Sequence, residues 1–93
     1  MKFDKDTAAA KAKQDLAGRL GVNESEISVV STSSQEFPDM SLGAPADDEM
    51  SAQMISNGWT IKLGHAGKNY EYRGDKYQLR LRDFKGKNYL VAG

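Results

Sequence analysis

The stretch NGWTIKLGHAGKNYEYRGDKYQLRLRDFKGKNYLV, Asn57 to Val91, decides the fold. Within it Trp59, Ile61 and Leu63 alternate with Thr60 and Lys62, Tyr70 and Tyr72 share one face, and Tyr77, Leu79 and Leu81 oppose Gln78, Arg80 and Arg82. A period of two is that of a strand with one buried face. Turn residues punctuate the pattern at Gly64-His65-Ala66-Gly67, at Arg73-Gly74-Asp75-Lys76 and from Asp83 to Lys87, leaving Tyr89-Leu90-Val91 as a last strand. Four successive strands joined by tight turns predict an antiparallel meander.

Upstream, Ala8, Ala12, Leu16 and Leu20 recur at four-residue spacing, with Lys11, Gln14, Asp15 and Arg19 on other faces. That is a helix with one apolar stripe, capped by Asp6 or Thr7 and ended by Gly21. The β-branched run from Ile27 to Thr32 reads as a strand that can raise the sheet to five. Stripe and sheet face each need burial, so the class is α+β, an N-terminal helix packed on a four- to five-stranded antiparallel meander. Leu16 and Leu20 are expected against Trp59 and Ile61, with Trp59 largely buried.

With 93 residues, 39% of them apolar and 28% charged, the chain fits one domain spanning 1–93, residues 1–6 being a candidate disordered tail. No cysteine is present, so neither a disulfide framework nor a thiolate metal site is available. No run reaches the ~18 apolar residues of a membrane span. The start MKFDKDTAAAKAK lacks the apolar centre of a signal peptide, so the reading is a soluble chain, exported or envelope-associated if a leader has been removed. The net charge of zero divides unevenly: 5 Lys/Arg against 10 Asp/Glu in residues 1–57, and 8 against 3 in residues 58–93. Folding is expected to bring the two halves together or to leave them as solvated faces, a basic partner-binding surface being the sharper alternative.

Between the first strand and the meander lies EFPDMSLGAPADDEM, Glu36 to Met50, which fits neither strand nor helix. Pro38 and Pro45 restrict the backbone and Gly43 permits a positive φ, so this loop is shaped rather than slack. Phe37, Leu42 and the two prolines are expected to anchor it, Met40 and Leu42 packing beneath it, with the loop lying across one end of the sheet near Ala92. Asp47, Asp48 and Glu49 are expected to be exposed, and Met50 and Met54 to plug the core.

The order AKAKQDLAGRLGV, EISVVS, FPDMSLGAP, NGWTIKL and NYEYRGD resembles a small uncharacterised bacterial domain with a Trp-Pro-Asp-x-Ser-Leu-Gly-Cys-Pro signature, often found in exported proteins or lipoproteins. The resemblance covers most of residues 10–75 and implies a fold, with no established activity. Phe37 stands where the pattern has Trp and Ala44 where it has Cys; its second Cys falls at Leu90-Val91-Ala92. If those cysteines pair, the resemblance implies that Ala44 lies beside the last strand.

Catalytic signals are weak. His65 is the single histidine, set in a Gly-flanked turn, and nucleophile elbow, metal-protease pair and phosphate loop are all missing from the sequence. Asp39 and Ser41 read as turn-capping residues rather than a hydroxyl site. Three carboxylates at 47–49 lack the alternating ligands of a calcium loop, so no metal and no cofactor is expected. Tyr70, Tyr72, Arg73, Tyr77, Arg80, Arg82, Lys85, Lys87 and Tyr89 mix aromatics with cations as single-stranded nucleic acid would require, but alternation sends the arginines to a solvated face. The expectation is a non-enzymatic, monomeric interaction domain with a protein partner, contacting it through loop 36–56 with Phe37, Pro38, Asp39, Met40, Ser41, Leu42, Asp47, Asp48 and Glu49. The alternatives are a protease-inhibitor-like module using 38–50 and weak oligonucleotide binding through the basic sheet.

Overall fold

The computed structural model describes residues 2–47, 49–50 and 52–93. Helix α1 (Lys5–Leu20) and a single 3-10 turn (Glu24–Glu26) precede five strands, β1 (Ser28–Phe37), β2 (Ser56–His65), β3 (Lys68–Gly74), β4 (Leu79–Phe84) and β5 (Lys87–Ala92). Every neighbouring pair is antiparallel and the sheet order is β1-β2-β3-β4-β5, the upper count of the four- to five-stranded meander expected. Its hairpins have a local cause. Ala66 and Gly67 take φ of 50° and 79°, the left-handed pair of a two-residue turn whose twist matches that of the flanking strands. Ile61 accordingly faces Tyr72 and Leu63 faces Tyr70 across β2 and β3.

Ile61 and Leu63 of β2, Tyr70 and Tyr72 of β3, and Leu79 and Leu81 of β4 turn toward the helix. Ile61, Leu63, Tyr72, Leu79 and Leu81 are fully buried there with Ala8, Ala12 and Leu16. Leu20, expected buried, and Trp59, expected largely buried, border this core, each partly buried. Asp15 and Arg19 are not simply solvated either. The Tyr72 hydroxyl donates to Asp15 at 2.7 Å, Arg19 bonds the same oxygen at 2.7 Å, and the Arg19 guanidinium stands 4.6 Å from the Tyr89 ring centre. Burial, reinforced by the Asp15 carboxylate, pushes the Tyr72 phenol well above its ordinary value.

Several boundaries differ from expectation. Asp4, not Asp6 or Thr7, caps α1, in a reciprocal box with Thr7. Lys5 and Asp6, read as tail, form the first helical turn, and Phe3 is buried with its N–H on the Lys76 carbonyl at 2.8 Å. Tyr77 does not extend β4. It is exposed in a turn where the Asp75 carboxylate accepts from the Tyr77 and Gln78 N–H groups. β1 runs on to Phe37, with a register irregularity between Val29 and Ser31.

Candidate functional site

The described residues of 38–55, the strap, cross the face of the sheet opposite α1, against Arg73, Gln78 and Arg80. This corrects the placement at one end of the sheet near Ala92. Phe37, Ser41, Leu42 and Ala44 are buried under it, outside the helix-side core.

The strap folds on itself first. Asp39 Oδ1 accepts from the Ser41 N–H at 3.0 Å, the Ser41 hydroxyl at 2.8 Å and the Gly43 N–H at 3.0 Å. The Gly43 N–H and Ser41 hydroxyl hold the Asp39 carboxyl below its ordinary value. This turn needs left-handed backbone at Leu42 (φ 58°) and Gly43 (φ 67°). At Leu42 that costs on the order of 1–3 kcal/mol, offset by burial of its side chain. At Gly43 the positive φ favours glycine, and a Cβ there would stand 2.6 Å from Arg73 Nη1, which would have to shift.

Two arginines from the sheet then hold the strap. Arg73 Nη1 donates to the Leu42 carbonyl at 2.9 Å, its Nε to Glu71 at 2.7 Å, and its guanidinium lies 5.4 Å from the Phe37 ring centre. Arg80, only 4% exposed, makes a two-pronged pair with Glu49 at 2.5 and 2.6 Å and reaches the Ala44 carbonyl at 3.2 Å. Gln78 Nε2 bonds the Met40 carbonyl at 2.6 Å and Asn88 Nδ2 the Pro45 carbonyl at 3.0 Å. Planar, always-charged forks suit buried carbonyls and carboxylates, because each N–H finds an acceptor in fixed geometry. The Arg80 fork and the Ala46 N–H draw the Glu49 carboxyl down to about 2. The expectation of a solvated arginine face is therefore corrected: Arg73 and Arg80 are strap anchors, which removes two cations from any nucleic-acid surface.

The expected site residues now separate. Phe37, Ser41 and Leu42 face inward; Pro38 and Met40 are exposed, and Asp39 is half-buried in the strap's own turn. Asp47 is exposed and lies 3.7 Å from an exposed Lys87, whereas Glu49, expected to be free, is paired. Asp48 lies outside the described residues. Met50 (97% exposed) and Met54 face outward, correcting their reading as core plugs, and Ile55 is exposed beside them in the chain. Ala44 sits over β4, whose Arg80 pairs with Leu90; of the three terminal residues Leu90 is therefore the one in register with that anchor, while Ala92 packs toward the helix-side core.

Beside the strap, where β1, β2 and the β3–β4 turn meet, a cleft of about 740 Å³ is lined by Glu36, Met40, Ile55, Trp59, Asp75 and Tyr77 among others. Sequence reasoning placed Ile55 only within the loop 36–56 and Tyr77 only among the aromatics of the basic sheet, and assigned Trp59 and Asp75 to no site. No spacing joins them, since they converge only when the strap's return limb is laid beside the turn. For Arg80 a signal existed: the opposite charges of the two halves meet at Arg80–Glu49 and Lys87–Asp47. Among the described residues, no three His, Cys, Asp or Glu side chains converge as a metal-ligand set.

The pattern of a family described as a domain of unknown function (DUF8738) matches residues 9–82. No curated protein and no solved structure matches the chain.

Proposed function

The chain belongs to that family of unknown function, and we propose that it is a non-enzymatic interaction domain whose contact surface is the outward side of the strap and the adjoining cleft. One observation carries this reading. Met40, Met50, Met54 and Ile55, between 41% and 97% exposed, lie on a segment whose opposite side is anchored to the sheet, and the exposed Tyr77 of the β3–β4 turn joins Met40 and Ile55 in the cleft. Exposed apolar groups on a fixed backbone lose little entropy on docking, and thioether chains adapt to varied partners. The way the acids are used supports the non-enzymatic reading. Asp39 is engaged by three donors of its own turn and Glu49 by Arg80, so neither is placed to move a proton. An inhibitor-like role for 38–50 would require the segment to project, and Ser41, Leu42 and Ala44 are instead buried.

A photo-crosslinking residue placed at Met50 or Met54, compared with one at Lys11 on the helix, tests the reading in cells. The expected result is a discrete adduct from the strap positions, whose purified partner loses binding to the M54S/I55S double variant. A partner that binds this variant as well as the wild type would refute the surface.

A further inference from the structure

We propose that β1, together with the end of the cleft beside it, binds an extended basic segment of a partner protein, which joins the sheet as a sixth strand. This deepens the interaction reading above and rests on it.

The first observation is an edge left open. β1 is ten residues long and is the terminal strand of the sheet, so its outer backbone groups have no strand partner among the described residues. From Ser31 to Phe37 it keeps unbroken register with Lys62 to Ser56. Edge strands are normally shortened, bulged or charged with lysine to prevent such pairing. The opposite edge follows that rule: β5 has six residues, opens on Lys87 and pairs with two register irregularities. β1 contains neither lysine nor proline, and eight of its side chains on both faces are exposed, so no layer obstructs an added strand.

The second observation is a side-chain seat. Ser34 pairs with Trp59, and both line the cleft with Met40, Ile55 and Tyr77. A guest residue opposite Ser34 therefore stands on the face of Trp59, with apolar walls beside it. Backbone pairing along an edge supplies affinity and such a seat supplies selectivity.

Charge chooses the occupant. From Leu20 to Ile61 there is no Lys, Arg or His, while Glu24, Glu26, Glu36, Asp39, Asp47, Asp48 and Glu49 all fall in that span. Glu49 is neutralised by Arg80, but Glu24, Glu26 and Glu36 are exposed at the two ends of β1. Antiparallel pairing with a second copy would bring Glu36 of one chain to the Glu24–Glu26 end of the other, like against like. A guest with an apolar centre and cations at its ends meets the opposite sign at both; Lys76 on the far side of the cleft is the cation it must clear.

The probe is a labelled heptapeptide of alternating Thr and Val with a central Leu and a Lys at each end, titrated into the whole domain at low and high salt. Expected are amide shifts at Ser31 to Phe37 and at Trp59, with affinity falling as salt rises. Ser34→Lys, an exposed change, should weaken binding on the order of tenfold with an unaltered circular dichroism spectrum, because it sets a cation against the guest. Glu36→Gln should weaken it by roughly a few fold and flatten the salt dependence. No binding at low salt, or indifference to Ser34→Lys, overturns the proposal. Shifts confined to Met50 and Met54 overturn it while leaving the strap reading intact. A wild-type dimer that Ser34→Lys dissolves makes the second copy the occupant and overturns it equally. The crosslinking test above fails or succeeds independently of all three.

Discussion

On the helix side of the sheet, Ile61, Leu63, Leu79 and Leu81 meet Ala8, Ala12 and Leu16 in an apolar layer; on the other side, Arg73 and Arg80 rise from the same strands and end on strap carbonyls and Glu49. The first face is closed by transfer of apolar area from water, which is non-directional and tolerant of small shifts. The second is closed by charge-assisted bonds, each requiring one atom at one distance. Their failures should differ in extent: loss on the helix side unfolds the domain, while loss on the strap side releases the strap from a sheet that persists.

The largest expected effect is on the helix side. Leu16 is fully buried on the sheet-facing side of α1, so Leu16→Ala should cost ~2–5 kcal/mol, a large part of the ~5–10 kcal/mol expected of a domain this size. Urea melts followed by far-ultraviolet dichroism and by Trp59 fluorescence should move together. If the strap amides alone lost protection in this variant, the distinction between the faces would be broken.

Arg80→Ala comes next. Removing one member of a buried pair commonly costs ~3–5 kcal/mol, and because Glu49 retains 27% side-chain exposure and can rehydrate, about 2–3 kcal/mol is the expectation. Hydrogen exchange should accelerate at Ser41, Leu42, Gly43 and Ala44 and leave Ile61 and Tyr72 protected. Acid gives the same result without mutation. The Glu49 carboxyl lies at about 2 in the folded domain, against ~4.3 for an unfolded chain, so its contribution is complete above pH ~4.3 and is lost as pH falls through about 2. Asp39, held below its ordinary value by Gly43 and Ser41, acts in the same direction. Strap protection should therefore decline across that window ahead of the sheet signal, and simultaneous loss would argue for one cooperative unit.

How far sequence reached follows from the same contrast. Alternation at Trp59–Leu63 and Leu79–Leu81 disclosed the strands and the helix-facing side, because apolar burial imprints its period on the chain. Arg80 alternates just as regularly, and alternation assigns it to water; nothing local distinguishes an arginine under a strap from one in solvent. The left-handed Leu42 was equally hidden, since only Gly43 advertised a turn. Met50 and Met54 misled for the converse reason: four-residue spacing signals burial only where the backbone is helical, and here it is irregular.

Gly43→Ala probes the seam between turn and anchor. A φ of 67° and a Cβ 2.6 Å from Arg73 Nη1 oppose alanine, though the guanidinium is the far end of a flexible side chain and can yield. A cost of about 1–2 kcal/mol is expected, chiefly from the backbone. Pairing the change with Arg73→Ala should recover part of it by removing the collision, and purely additive losses would show that Arg73 is not the obstacle.

The smallest effect lies within the acidic run of the strap. Asp47 and Lys87 are 3.7 Å apart with side chains 78% and 62% exposed, so water and salt screen a pair that long side chains must lose entropy to form. Asp47→Ser should leave the melting temperature unchanged within error. Glu49, two residues on, carries the same formal charge but faces Arg80, which has nowhere to rehydrate at 4% exposure. Glu49→Ser should consequently cost more than Asp47→Ser by about 2 kcal/mol, and that difference should narrow near pH 2, where Glu49 begins to protonate in the wild type as well. Equal effects from the two substitutions at neutral pH would mean that the strap is held by its buried apolar residues alone, and that the arginines follow it rather than fix it.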